Sequence, residues 1–154
     1  MTPAVHELVL TRIIDAPREK VFRCWTEGAL LKQWFAPRPW TTPVAELDVR
    51  PGGASLITMR SPEGHDMASP GIYLDVVRNE RLVFTDAFSP GWRPAGQPFM
   101  VAEITLEDAG AGKTRYTARA MHWNEETRQQ HEKMGFHQGW GVCADQLQEV
   151  AKAL

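Results

Sequence analysis

The chain has 154 residues, of which 43% are hydrophobic, and its 17 basic and 19 acidic side chains give a formal net charge of -2. Neither sign of charge forms a run, so the sequence excludes the broad basic surface that nucleic acid or an anionic membrane would require. It also lacks a secretory signal and the roughly 20 apolar residues that span a bilayer, so we expect a single cytoplasmic domain over residues 1–154 with no nucleic-acid or membrane partner.

The first part of the chain predicts one strand followed by two short helices. Residues 7–14 (ELVLTRII) are rich in branched apolar side chains, which predicts a strand that ends before Pro17. Proline suits the first turn of a helix, and the apolar residues after it recur at helical spacing, so we predict a helix over residues 17–26. A second short helix carries Trp34 and ends before Pro37.

Six further strands are predicted at short intervals. They cover residues 44–49, 54–60, 71–77, 81–88, 99–107 and 113–121. The turns between them are short and rich in glycine, which makes successive strands antiparallel neighbours. The longest irregular connection, residues 89–98, lies where the lid or rim of a site would be, although it can equally be a simple hairpin loop.

The last segment predicts one long helix that covers the sheet. Asn124 is a good N-cap, and alternation within the strands leaves one face of the sheet apolar for a helix to cover. The predicted inward stripe of this helix comprises Met134, His137, Trp140, Gly141, Ala144, Leu147, Ala151 and Leu154. The whole pattern therefore predicts an α+β fold, in which an antiparallel sheet curls around a long C-terminal helix.

The two cysteines give no disulfide framework. Cys24 and Cys143 each lie in a predicted helix among apolar neighbours, which favours buried, reduced thiols over a single incidental bridge.

Four segments of the sequence resemble a known superfamily. They are VFRCWTEGALLKQWFAP (residues 21–37), DVRPGGAS (48–55), GIYLDVVRNERLVFTDAF (71–88) and HEKMGFHQGWGVCADQL (131–147). In this order they are similar to the START-like ligand-binding superfamily, also called SRPBCC. Within it they look closest to the branch homologous to the C-terminal domain of the activator of the ninety-kilodalton heat-shock chaperone's ATPase.

The resemblance implies a helix-grip fold, in which a seven-stranded antiparallel sheet wraps around the last helix and leaves an apolar cavity between them. Members of the superfamily bind lipids or hormones, cyclise polyketides, sequester toxic small molecules or stimulate a chaperone. The fold therefore implies no single activity, and function depends on the cavity.

Small residues indicate where such a cavity would lie. Ala118 and Ala120 on the last strand are predicted to face Gly139 and Gly141 on the closing helix, and two small surfaces either pack tightly or leave a gap. We expect the gap, and in it a small apolar or aromatic molecule bound without a cofactor. The candidate ligand-binding residues are Trp140, Met134, His137, His122, Phe88, Asp86 and Trp34.

Each candidate has a structural alternative. Trp140 is favoured because its neighbours are glycines, whereas Trp34 lies at helical spacing with leucines and is equally suited to core packing. His122 and His137 can donate to a ligand carbonyl or form structural hydrogen bonds. Asp86 is placed on the apolar face by strand parity, or at an exposed strand end.

Two other functions remain open. In a cyclase- or hydrolase-type enzyme, His122, His137 and Asp86 would position and deprotonate a substrate in the same cavity. In a chaperone-binding module, Arg115 and Arg119 on the outer face of the sheet would contribute charge. The chaperone activators carry an additional N-terminal domain, for which 154 residues leave no room, and this weighs against a chaperone partner.

No metal site or self-sufficient catalytic motif is predicted. His131 and His137 are six residues apart and so face different sides of a helix, unlike the i, i+4 histidine pair of a zinc motif. Edge strands of the sheet can pair in a homodimer, but no motif requires one.

Overall fold

Alternating apolar residues and short turns produce a seven-stranded antiparallel sheet, as predicted. The structure, a computed structural model, describes residues 6–154. The strands are β1 (His6–Ile14), β2 (Thr41–Leu47), β3 (Ala54–Arg60), β4 (Asp66–Val77), β5 (Arg81–Thr85), β6 (Phe88–Ser89), β7 (Arg93–Pro94), β8 (Val101–Gly110) and β9 (Lys113–His122). The helices are α1 (Arg18–Thr26), α2 (Gly28–Leu31), α3 (Glu125–Lys133) and α4 (Phe136–Lys152). The predicted α+β helix-grip architecture is thereby confirmed.

The strands of the main sheet follow the order β1-β9-β8-β5-β4-β3-β2, and β6 and β7 form a separate two-residue hairpin. Register sets which side chains share a face: Ala118 lies between Leu10 on β1 and Ile104 on β8, and all three are buried. This inner face of the sheet packs against α1 and α4 in one hydrophobic core. None of the helices within residues 6–154 is long and apolar enough to cross a membrane.

The predicted closing helix is wrong in one respect, because it is two helices and not one. Gly135 adopts a φ of 93°, in the left-handed region that favours glycine, and separates α3 from α4. The break shifts the helical phase, so that Phe136 is buried while Met134 is 66% exposed and His137 is exposed. Met134 and His137 therefore do not belong to the inward stripe. Its C-terminal part is confirmed, since Gly141, Ala144, Leu147 and Ala151 are buried.

The start of α3 is fixed by the predicted N-cap. The Asn124 Oδ1 accepts hydrogen bonds from both the backbone N–H and the hydroxyl of Thr127, each at 2.8 Å. We expect Asn124→Ala to lower the free energy of unfolding by about 1 kcal/mol, because it leaves N-terminal N–H groups of the helix without this acceptor. Asn124→Asp retains the acceptor and is the matched control. Urea denaturation of the two variants checks the prediction, and equal stabilities would contradict it.

Both cysteines are free, as predicted. Cys24 is buried on α1, and burial raises the pKa of its thiol to about 11. Cys143 is half-buried on α4, donates a hydrogen bond from Sγ to the Phe35 carbonyl at 3.2 Å, and has its pKa raised by burial to about 12. Thiols held in the protonated form are poor nucleophiles and poor metal ligands.

Candidate functional site

A cavity of about 130 Å³ opens on the inner face of the sheet, where β3, β4 and β5 meet the start of β8. Its apolar lining includes Ile57, Phe84, Phe99 and Met100. Its polar lining includes Ser55, Ser69 and Asp86. An apolar pocket with a few convergent polar groups is the usual form of a small-molecule site.

Strand register brings these residues together. Ser55 pairs with Gly71 and Ile57 pairs with Ser69 across β3 and β4. Gly71 also lets β4 and the end of β5 approach closely, because a Cβ atom at this position would lie only 2.3 Å from the Thr85 carbonyl oxygen. The wall of the cavity thus requires a glycine at position 71, opposite the end of β5.

Asp86 ends β5 by turning its carboxylate toward the backbone at the start of β8. The N–H of Phe99 donates to both oxygens, at 2.9 Å to Oδ1 and 3.0 Å to Oδ2, and the N–H of Met100 donates to Oδ1 at 3.1 Å. These bonds explain why β5 ends at Thr85 and not at residue 88 as predicted. They also hold a carboxylate at the wall of the cavity.

A pair of buried histidines lies behind the cavity wall. The Nδ1 of His122 is 2.9 Å from the carbonyl oxygen of His6, which can only accept, so this nitrogen carries the proton. The Nε2 of His122 and the Nδ1 of His131 are also 2.9 Å apart and share a hydrogen bond. Burial, followed by the neighbouring His122, lowers the pKa of His131 to about 4. His131 is therefore neutral at neutral pH.

Phe99 connects the histidine pair to the cavity. Its ring centroid lies 4.9 Å from that of His131 and 5.7 Å from that of His122, both in edge-to-face geometry. On the other side of His131, Trp140 lies at 6.0 Å and Phe136 at 5.2 Å. One continuous aromatic cluster therefore runs from α4 through the histidines to the cavity wall.

Of the seven candidate ligand-binding residues, Asp86 lines this cavity directly. His122 and Trp140 lie behind it in the aromatic cluster, and Trp140 is half-buried. Phe88 is half-buried on the β6–β7 hairpin, with its ring 5.8 Å from that of Trp92. Trp34 is 2% exposed and donates from Nε1 to the Cys24 carbonyl at 3.0 Å, which places it in the core.

The cavity does not lie between the small residues where the sequence predicted it. A Cβ atom on Gly141 would be 2.8 Å from the Arg12 guanidinium Nη2, so this glycine makes room for an arginine of β1. A Cβ atom on Gly139 would meet nothing within 4 Å. Ala118 and Ala120 are completely buried in the core. None of these four residues lines the cavity.

Two residues of the cluster had no place among the predicted candidates. His131 is the buried residue of α3, a separate helix that ends before Gly135. A single long helix, as predicted, gave no reason to place it on the buried side. Phe99 lies just before β8, where strand parity gave no reason to select it. A sequence signal for His131 does exist, since a break at the first glycine would place it on the buried side.

The residues of the two alternative functions are arranged differently from what those functions require. His137 is exposed on α4, whereas both ring nitrogens of His122 are hydrogen-bonded within the protein. On the outer face of the sheet, Arg119 pairs with Glu7 at 3.2 Å and with Glu103 at 3.1 Å. Arg115 likewise pairs with Glu107 at 3.4 Å. Acidic neighbours thus offset the charge that a chaperone surface would use.

Comparisons with known proteins agree with the fold. Residues 15–152 match the family model described as Activator of Hsp90 ATPase homolog 1-like protein. A crystal structure of a protein from Nitrosomonas europaea is 41% identical, covers 96% of this chain and 94% of that one, and has a TM-score of 0.91. A protein from Chromobacterium violaceum is 26% identical over 95% of this chain and 96% of that one, with a TM-score of 0.72. Among curated proteins, none is significantly similar in sequence.

Proposed function

The chain belongs to the Activator of Hsp90 ATPase homolog 1-like family, and from that premise we propose that it binds a small apolar or aromatic molecule in the cavity on the inner face of the sheet. The observation that carries the proposal is the cavity itself. It measures about 130 Å³ and is lined by Ile57, Phe84 and Met100. An apolar space of this kind is filled more favourably by an apolar molecule than by water.

Of the predicted ligand-binding residues, we propose that one contacts the ligand directly and two act indirectly. Asp86 provides the polar contact, and His122 and Trp140 act through the ring of Phe99. Neutral His131 suits this role, because it packs against the ring of Phe99 without placing a charge beside an apolar ligand. A cytoplasmic location is part of the proposal and is supported by the two unpaired thiols.

The β6–β7 hairpin supports the same assignment of the cavity. Trp92 at its tip lies over the turn between β2 and β3, because a Cβ atom on Gly52 would be 3.1 Å from the Trp92 ring. Ser55, which lines the cavity, follows this turn on β3. The hairpin thus stands beside the cavity, as expected of a rim.

Blocking the cavity tests the proposal. Ser69 is exposed at the cavity and faces inward, whereas the adjacent Ala68 is exposed and faces the other side of β4. We expect Ser69→Phe to weaken the binding of toluene by at least about tenfold, because the new ring occupies the space of the ligand. Ala68→Phe adds the same ring to the opposite face and should leave the affinity unchanged.

The titration is followed by the backbone amide chemical shifts of the protein. In the unmodified chain, toluene should move the signals of Phe99 and Met100 first. Equal affinities for toluene in the two phenylalanine variants, or shifts confined to other parts of the chain, would overturn the proposal.

A further inference from the structure

Asp86 differs from the paired carboxylates of this protein in lacking a positive partner. Asp66 and Glu27, for example, each accept hydrogen bonds from an arginine, Arg60 and Arg23 respectively. Within residues 6–154, the Asp86 carboxylate forms no ion pair and is held by backbone N–H groups alone. A half-buried negative charge thus faces a largely apolar space without a compensating cation.

The carboxylate keeps unused acceptor capacity. An ionised carboxylate has about four lone-pair sites. Two N–H groups make three contacts with it, two of them to Oδ1 and one to Oδ2. Oδ2 therefore remains available to a donor on a bound molecule.

The size of the cavity limits the molecule to about one ring. Its volume of about 130 Å³ is close to the roughly 150 Å³ of an engineered apolar cavity that binds benzene. The aromatic rings of Phe84 and Phe99 line the same space, and aromatic faces attract a cation. Ser55 and Ser69 add hydroxyl groups that can accept further hydrogen bonds.

We propose that the ligand is a small primary amine on a single aromatic or similarly sized apolar group, with its ammonium bound by Asp86 and its ring among Ile57, Phe84 and Met100. This inference rests on the proposed function, because it assigns a ligand class to the same cavity. The ammonium supplies both the missing positive charge and the missing donor, and such charge-assisted hydrogen bonds are about twice as strong as neutral ones.

Four probes of similar size but different charge test the ligand class. They are benzylamine, benzyl alcohol, toluene and benzoate, each titrated into the unmodified chain at neutral pH. We expect benzylamine to bind at least about tenfold more tightly than toluene, and benzoate to bind most weakly, since like charges repel beside Asp86. An affinity for benzylamine no greater than that for toluene would overturn the inference while leaving the proposed function in place.

An isosteric variant then identifies the residue responsible. Asp86→Asn keeps an oxygen acceptor for the Phe99 and Met100 N–H groups but removes the charge. It should weaken benzylamine binding at least about tenfold more than it weakens toluene binding. Asp75→Asn, which makes the same charge change at a half-buried residue paired with Arg81 and outside the cavity lining, is the matched control and should alter neither affinity.

The outcomes separate the two proposals. An equal loss of both affinities in Asp86→Asn would assign Asp86 a purely structural role and overturn the inference. If this variant fails to fold, the order of the four probes in the unmodified chain still decides the question. Absence of binding by all four probes would overturn the ligand class and the proposed function together.

Discussion

Replacement of Trp34 by alanine is expected to lower the free energy of unfolding by about 3–5 kcal/mol, the range for removal of a large aromatic side chain from a core. Trp34 is 2% exposed, and its ring packs edge-to-face against Trp25 at 4.8 Å and Phe35 at 5.7 Å. The substitution also removes the hydrogen bond from the indole Nε1 to the Cys24 carbonyl, and so leaves a buried acceptor unpaired.

Trp92→Ala is the matched control, because it removes the same side chain from a residue that is 57% exposed. We expect it to change the free energy of unfolding by less than about 1 kcal/mol. Urea denaturation of both variants measures the difference. Equal losses of stability would show that Trp34 is not the core residue that its burial indicates.

A conservative variant separates packing from ligand binding at the same residue. Trp34→Phe keeps an aromatic ring in the core, so it should be less destabilising than Trp34→Ala. Because Trp34 does not line the cavity, toluene affinity should remain within about twofold of that of the unmodified chain. Loss of toluene binding without loss of stability would show that Trp34 contacts the ligand, as the sequence predicted.

The sheet could be predicted from the sequence because alternation and turn residues act locally. β3 has its predicted bounds, Ala54–Arg60, and the other long strands overlap their predictions. β4 begins at Asp66 and not at residue 71. The prediction missed residues 66–70 because they contain a single large apolar side chain, Met67, and end in a proline. They are paired to β3, with Asp66 opposite Arg60, and this neighbour determines their conformation.

The closing helix shows what local periodicity cannot determine. Gly135, Gly139 and Gly141 all interrupt a helical pattern in the sequence, yet only Gly135 adopts a positive φ and breaks the helix. Gly141 instead makes room for Arg12, a residue of the first strand. Tertiary contacts thus determine which glycine breaks the helix. The position of that break in turn determines that Met134 faces solvent.

The cavity is harder to predict than the fold because its lining comes from four separate strand regions. Asp86 could be placed by strand parity, since it continues the inward alternation of Phe84. Ser55 and Ser69 could not, because their positions at the cavity depend on the register among β2, β3 and β4. A resemblance to a superfamily predicts that a cavity exists, whereas side chains from distant segments determine where it opens.

Acid is expected to destabilise the protein by about 3 kcal/mol through His131 alone. Its pKa falls from an ordinary 6.5 to about 4 in the folded chain, mainly because the side chain is buried. Each pKa unit corresponds to about 1.4 kcal/mol. Below pH 6.5 the unfolded chain binds a proton at His131 that the folded chain does not bind until about pH 4. The contribution of His131 to the free energy of unfolding is therefore fully present above pH 6.5 and is lost progressively as the pH falls to about 4.

The comparison of two phenylalanine variants isolates this effect from the titration of carboxylates. His131→Phe removes the buried imidazole but retains an aromatic ring beside Phe136 and Trp140, so its stability should fall less steeply between pH 7 and pH 4 than that of the unmodified chain. His137→Phe changes an exposed histidine and should keep the full dependence. Free energies of unfolding from urea denaturation across this range provide the measurement.

Burial and the hydrogen bond between the two histidines explain why protonation of His131 should destabilise the folded protein. His131 is 7% exposed, and its Nδ1 shares a hydrogen bond of 2.9 Å with the Nε2 of His122, whose Nδ1 donates to the backbone of β1. An additional proton on His131 would place a positive charge in a buried site, away from water, and so oppose folding. Parallel pH profiles for the unmodified chain and His131→Phe would mean that the folded protein protonates His131 without cost, and would contradict a neutral His131 behind Phe99.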